Sequence, residues 1–421
     1  MVELESRRKK VFEQMKENSV AIFFSGVSKV SSEDEYLPFR VNNNFFYLTN
    51  IEQEHSALML IKGFAEKKVY LFIDPYSELK EKWTGKRLTS EKAMALSDIK
   101  NIYTTDNFET MLALALTKEN NQYGDIDCLY LDLTSPEQKL KENFFMNDLE
   151  VKLKLEHSAI EIVDVYPLMR DLRMVKSPYE IDCLIKAIEK TNNGISYLIS
   201  KMAPGLVEHE LADHFEMYGR AHDRAGLAFS TIIAGGKNAT CLHYPYLQQN
   251  DVLKEEDLVL FDLGYSYAGY SADISRTFPI NGKFDDLQRK VYSAVLGCNK
   301  AVIAYAKPGL KIKDLQEYAT EYLRKECIKL KLMDENDDIR NYYYHNVSHF
   351  LGLDTHDTGD REKPLANGNV ITVEPGLYFA KYGIGVRIED DVLITLDGAV
   401  VLSKNIVKEI DEIEKMMQRR S

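Results

Sequence analysis

The chain has 421 residues, 45% of them hydrophobic and 28% charged, with a net charge of −13. That length exceeds one ordinary core and points to two domains. The composition is that of a soluble globular protein with no membrane partner, since no apolar run reaches the roughly 18 residues of a membrane helix, and the acidic balance disfavours a nucleic-acid partner.

In chain order, the N-terminal stretch MVELESRRKKVFEQMKENSVAIFF is charged and amphipathic and lacks the apolar core and cleavage site of a signal peptide. The cysteines, Cys128, Cys183, Cys241, Cys298 and Cys327, are odd in number, scattered and free of CxxC pairs, which argues for a reducing, cytoplasmic location rather than a disulfide framework. Residues 1–170 alternate apolar tracts (VAIFF, SALMLI, KVYLFI, CLYLDL) with helical patterns such as that around Thr89 to Leu96. This predicts an α/β domain with a partly parallel, mixed sheet. A boundary is expected near Met174-Val175-Lys176-Ser177-Pro178, which divides the chain into 1–173 and 174–421. Ser177 suits an N-cap, with Pro178 in the first position and Glu180 in the first turn of a helix running to Met202.

The second half repeats itself. MAPGLVEHELADHF (Met202–Phe215) resembles AKPGLKIKDLQEYA (Ala306–Ala319), and LVLFDLG (Leu258–Gly264) resembles VITVEPG (Val370–Gly376). His243 precedes Asp262 at nearly the distance by which His356 precedes Glu374. Two pseudo-symmetric halves facing each other would bring carboxylates from both into one cleft.

Asp262 ends an apolar run, and a carboxylate there must be paired, hydrogen-bonded or bound to a metal. A hairpin through Gly264 and Gly269 would bring Asp273 to the neighbouring strand, and a turn containing Gly383 and Gly385 would do the same for Glu374 and Glu389. Carboxylates that close repel unless a cation lies between them. Taken singly, each acid reads as a solvent-facing strand end; as a group with histidine they form a ligand set for divalent ions. His345, His349 and His356 cluster on what the pattern suggests is an extended segment, whereas His55, His157, His209, His214 and His222 lie in charged stretches and read as solvent-facing.

Leu242-His243-Tyr244, LVLFDLGYSYAGYSADISRTFP, HNVSHFLGLDTHD, ITVEPGLY and GVRIEDDV together resemble the five signature blocks of the pita-bread metallopeptidases, in the family's order. The nearest branch is the Xaa-Pro aminopeptidases (aminopeptidase P). Phe39–Asn50 and Trp83-Thr84-Gly85-Lys86-Arg87 are similar to segments in the N-terminal domains of aminopeptidases P and prolidases.

The resemblance implies an α/β (α+β) chain, with an N-terminal α/β domain and a C-terminal pseudo-symmetric pita-bread domain. It implies a hydrolase, a metalloprotease that releases the N-terminal residue of peptides with proline second, by attack of a hydroxide shared between two metals. Asp262 would chelate one ion and His349 and Glu374 the other, with Asp273 and Glu389 bridging. Glu374, His356 and His243 would act in catalysis: Glu374 taking the nucleophile's proton, His356 facing the scissile carbonyl, and His243 binding substrate and shuttling a proton. His345 would line the proline side, Arg387 and Tyr378 would support the site, Phe229 would stand in the proline-pocket region, and Trp83 would either complete that pocket, from a neighbouring subunit, or anchor the core or an interface of the first domain. Two divalent ions are implied, Mn2+ first, with Co2+ or Zn2+ able to fill the site, in a homodimer or homotetramer.

Asn346 replaces a usual glycine, Val41 a usual glutamine, Pro245-Tyr246-Leu247 stand where polar residues are common, and the loop from Tyr378 to Gly385 is short. The alternatives are a prolidase acting only on Xaa-Pro dipeptides, a methionine aminopeptidase, which needs no long first domain, a metal-free creatinase-like enzyme, and a non-catalytic binding protein of the same fold.

Overall fold

Each apolar tract of the first 170 residues forms a strand, because a short continuous run of apolar side chains can be buried on both faces of a sheet. The computed structural model describes residues 2–64, 66–117, 123–134, 144–223 and 226–418. The chain divides into two units, Met1–Leu172 and Arg173–Ser421. In the first, strands Ser19–Phe24 (β1), Ala57–Lys62 (β2), Lys67–Ile73 (β3), Asn101–Thr104 (β4), Cys128–Leu131 (β5) and Glu161–Asp164 (β6) make one sheet of order β4-β3-β2-β1-β5-β6. The pairs β1/β2 and β2/β3 are antiparallel and the other three are parallel, so the sheet is mixed.

Local signals set the helix ends. Thr89 caps the helix Ser90–Ser97 through its side chain on Lys92 N–H. The Phe39–Asn50 segment contains a fully buried helix, Asn43–Thr49, capped by the Asn42 side chain and ended by Asn50 in the left-handed region. Arg7 and Arg8, both buried, donate to the carbonyls of Tyr47 and Leu48 near its end, where helix carbonyls lack intrahelical partners.

In the second unit Ser177 and Glu180 form a reciprocal capping box that starts the helix Pro178–Lys201. The internal repeat appears as structure. Helices Pro178–Lys201 and Glu208–Asp223 precede one three-stranded sheet, and helices Asp286–Tyr305 and Ile312–Lys329 precede another. Between the helices of each pair the chain turns at Gly205 (φ +93°) and Gly309 (φ +92°), a conformation that glycine adopts without a Cβ penalty.

The short strands Gly226–Leu227 (β7) and Ile232–Gly235 (β8) are followed by Leu258–Leu263 (β9), Tyr265–Tyr267 (β10), Tyr270–Ser271 (β11) and Ile274–Pro279 (β12). Later come Val370–Val373 (β13), Gly376–Phe379 (β14), Ile384–Arg387 (β15), Asp390–Thr395 (β16) and Gly398–Val401 (β17). The sheets β12-β9-β8 and β13-β16-β17 are the counterparts within the repeat. No helix among the described residues is long and apolar enough to cross a membrane.

One buried ion cluster secures the loop after the histidine-rich segment. Asp357 accepts from Arg173 Nη2 at 2.6 Å and Lys176 Nζ at 2.9 Å, with all three side chains nearly inaccessible. A Cβ on Gly352 would stand 2.1 Å from Asp357 Oδ2, so the cluster requires glycine there. Asp357→Asn leaves two buried cations short of one negative charge. It is expected to cost about 3–5 kcal/mol of stability, measured as a drop in the urea midpoint.

Candidate active site

The carboxylates reach one place because each stands where a strand stops. Asp262 lies near the end of β9. Its partner in the ladder is Ser275, not Asp273, since Ile274 pairs with Leu263 and Ser275 with Asp262. The expected hairpin is therefore more elaborate: β10 and β11 at its tip join β7 in a separate sheet, and Asp273 sits one residue ahead of β12. There its N–H donates to Asp391 Oδ2 at 3.3 Å, outside the β9/β12 ladder. In the other half Glu374 follows β13 and Glu389 lies between β15 and β16, with Val373 paired to Asp390. Glu389 N–H donates to Ser275 O at 3.0 Å, which ties the two halves together at the cluster.

His349 arrives on an extended segment alongside β13. Its carbonyl accepts from Thr372 N–H, and Val347 O accepts from Glu374 N–H, both at 2.9 Å. His349 Nε2 lies 3.3 Å from Asp273 Oδ2 and 3.5 Å from Glu374 Oε1, while Nδ1 is 3.0 Å from the Phe350 carbonyl. With its proton on Nδ1, neutral His349 would have Nε2 free to bind a cation placed between the ring and the acids. The His356 ring meets His349 edge-on at 4.4 Å.

The electrostatics ask for positive charge. Burial pushes Glu374 up to about 7, with Asp273 and Asp262 adding to the rise against His349 and Arg387. Burial, then Asp273, Glu374 and Asp262, hold Glu389 well above the usual carboxylate range. Asp262 is likewise raised, by burial first, although Arg387 opposes it. His349 is raised to about 9: burial would lower it, but the hydrogen bond to Asp273 and the charges of Glu374 and Asp273 outweigh that.

Donor atoms in three groups, Asp262/Asp273/Glu389, His349/Glu374/Glu389 and Asp273/His349/His356, each lie within 4.8 Å of one another. Four carboxylates and an imidazole arranged this way fit two divalent cations, with Asp273 and Glu389 each belonging to two groups.

Around the cluster runs a network that the sequence did not reveal in full. Arg387 Nη2 donates to Asp262 Oδ2 at 2.7 Å, Nε donates to Ser275 Oγ at 2.7 Å, and Nη1 donates to Tyr378 Oη at 3.2 Å. Tyr378 Oη lies 2.8 Å from His345 Nε2, and Ser275 Oγ lies 2.8 Å from Glu389 Oε2. Ser275 escaped notice because nothing marks a serine in an apolar strand until the register sets it opposite Asp262.

The cavity over the cluster has a volume of about 370 Å³. It is lined by the five candidate ligands with His243, His345, His356 and Arg387, and also by Leu242, Asn346, Ser348 and Arg361. Arg361 reads in sequence as part of a charged loop, and only the fold turns it toward the cleft.

Tyr378 is buried behind His345 rather than in the cavity wall. Phe229 is half-buried near Gly264 and does not line the cavity. Trp83 is 75% exposed on the helix Glu78–Thr84 of the first unit. Of the histidines read as solvent-facing, His55 and His222 are exposed, but His157, His209 and His214 are half-buried. His209 Nδ1 is 3.0 Å from Gln249 O, and His214 packs on Tyr197, because helix Glu208–Asp223 turns these positions inward.

A largely buried carboxylate–histidine cluster beneath an open cleft, at the junction of two repeated halves, has the ligand set of a metal-dependent enzyme. Residues 182–396 match the model of metallopeptidase family M24, and residues 4–123 match that of the aminopeptidase P N-terminal domain. The chain belongs to metallopeptidase family M24. It is 34% identical to the Xaa-Pro aminopeptidase of Haemophilus influenzae over 99% of this chain and 97% of that protein. It is 31% identical to that of Escherichia coli at the same coverage. Among solved structures, the zinc-substituted E. coli aminopeptidase P in complex with product matches over 100% of this chain and 98% of that one, at 29% identity and a TM-score of 0.88.

Proposed function

We propose that this chain is an Xaa-Pro aminopeptidase, a metal-dependent exopeptidase that releases the N-terminal residue from peptides with proline in the second position. The meeting of Asp262, Asp273, His349, Glu374 and Glu389 under one cavity carries the reaction class. The full-length likeness to aminopeptidases P carries the substrate.

Those five residues hold two divalent cations, with Mn2+ as the working ion because the set is oxygen-rich with one imidazole. When bound, the ions supply the Lewis acidity that makes a hydroxide available at neutral pH and polarises the scissile carbonyl. Glu374 takes the nucleophile's proton at its carboxylate. His356, held neutral by burial and by His349, presents an N–H to the oxygen that becomes negative. His243 faces the cavity and binds the substrate backbone. The free amine of the first residue meets the carboxylate cluster, which restricts cleavage to the chain end. The scissile bond before proline is a tertiary amide without an N–H, so shape replaces hydrogen bonding in its recognition. Arg387, Tyr378 and His345 keep Asp262 and the cavity wall in register through the network above. Exposed Trp83 fits a homodimer or homotetramer in which it reaches a neighbouring copy, and five free thiols fit a cytoplasmic location.

The test is to supply metal-depleted protein with Mn2+ and follow release of the first residue from Xaa-Pro and Xaa-Pro-Yaa. Cleavage of the tripeptide is expected. Cleavage of the dipeptide alone would reassign the chain as a prolidase, and cleavage of neither, with metal loading verified, would overturn the reading.

A further inference from the structure

His243 is exposed to the cavity on an irregular stretch between β8 and β9, flanked by short turns at Gly236–Thr240 and Tyr246–Gln248, and something must hold that segment over the cavity. Glu208 is placed to do so. It opens the helix Glu208–Asp223, has 0% exposure, and stands outside the metal cluster. Its Oε1 accepts from Gly235 N–H at 2.7 Å and Asn238 Nδ2 at 3.0 Å. Its Oε2 lies 3.0 Å from Tyr244 Oη and 3.4 Å from Asp251 N. These partners come from the start, the middle and the end of the stretch that carries His243.

Tyr244, next in sequence to His243, is buried in a small apolar cluster with Ile232, Ala234, Ala239, Leu260 and Tyr378. Leu242, on the other side of His243, packs against the same cluster. Leu260 lies two residues before Asp262, and Tyr378 is bonded to His345, so the cluster fixes the His243 segment relative to the proposed ligands. The Tyr244 hydroxyl also bonds the Gln248 carbonyl. A hydroxyl has one proton, and a carbonyl can only accept. The hydroxyl is therefore shared between two acceptors, Glu208 Oε2 and the Gln248 carbonyl, and ties the helix start to the segment on both sides of its ring. Burial raises the Glu208 carboxyl, against its hydrogen bonds to Gly235, Asn238, Tyr244 and Asp251.

We propose that Glu208, acting through Tyr244, is the positioning residue for His243 in substrate binding. The proposal rests on the functional reading above. Packing alone would place the Tyr244 ring, but rotation of a short irregular segment about that ring is stopped by the bonds on either side of it. A histidine displaced by an ångström loses much of its contribution to an oriented complex.

The experiment is a double-mutant cycle on Xaa-Pro-Yaa cleavage with Mn2+-loaded full-length protein. Tyr244→Phe keeps the ring in its apolar cluster and removes only the hydroxyl; Glu208→Ala removes the whole latch. Each is combined with His243→Ala, and metal content and thermal midpoint are read alongside. Tyr244→Phe is expected to lower kcat/KM by about tenfold, mainly through KM, with two metals retained, and to have no further effect once His243 is alanine. Glu208→Ala is expected to follow the same pattern where it folds. Should it fail to fold, the Tyr244→Phe cycle decides the matter alone. Losses that multiply independently of His243, or a Tyr244→Phe enzyme with unchanged kcat/KM, overturn the proposal. A wild-type protein that leaves Xaa-Pro-Yaa intact overturns the functional reading and the proposal with it; an active wild type with independent losses overturns the positioning role alone.

Discussion

Asp273→Asn is expected to lower kcat/KM for Xaa-Pro-Yaa by about a thousandfold, equivalent to about 4 kcal/mol of transition-state stabilisation, and to reduce bound metal below two ions per chain. Asp273 belongs to two of the three donor groups and lies 3.3 Å from His349 Nε2, so its charge serves both proposed ion positions. Asparagine keeps the shape but not the charge. Two divalent cations carry four positive charges, which four carboxylates balance; three leave the pair under-neutralised.

The same substitution has the opposite sign in metal-free protein. There the cluster repels itself, as the raised carboxyls of Asp262, Glu374 and Glu389 indicate, with Asp273 among the causes in each. Metal-free Asp273→Asn is therefore expected to unfold at a higher temperature than metal-free wild type, and metal-loaded variant at a lower one than loaded wild type. Elemental analysis, turnover and thermal scans with and without chelator check all three. A metal-free variant less stable than metal-free wild type would contradict the cluster's electrostatics.

Asp390→Ala is expected to cost about 3–5 kcal/mol, through an uncompensated buried charge rather than through chemistry. Arg276 and Asp390 are both fully buried and meet at 2.8 Å. Arg276 also donates to the carbonyls of Val407, Ser275 and Ile406, and its Nη1 bonds Glu389 O. Lys408 and Ser403 complete the shell around Asp390. Burial alone would raise Asp390, but Arg276 and then Lys408 outweigh it and hold the carboxyl at about 2.

A depressed carboxyl stabilises the fold fully above its unfolded pKa of about 4 and loses that contribution as the pH falls through 2. The pH-dependent part is about 2 kcal/mol from the size of the shift. Urea titrations of wild type and variant at pH 7 and at pH 2.5 are expected to show a gap that narrows in acid. An equal gap at both would show that Asp390 is not held charged.

Much of this was legible in one dimension. The capping box at Ser177 and Glu180, the strand tracts of the first half and the Pro-Gly turns of the repeat follow from rules that act over a few residues. The five candidate ligands could be picked out because a carboxylate at the end of an apolar strand is costly without a partner, and because the motifs recur in a known order. The full network around them could not. Ser275 became part of the site only through the register with Asp262, and Arg361 through the course of its loop after His356. His209 and His214 look like members of a charged surface helix, yet contacts with Gln249 and Tyr197 take them half out of solvent. Glu208 looks like an ordinary acid in a helix's first turn, and its burial comes from the packing of a segment that ends more than forty residues later. Propensity, capping and the cost of burying charge act locally, so they mark which elements form and which residue types can bear a metal. Register and long-range packing choose neighbours that no spacing along the chain records, and these select the groups that hold those residues in place.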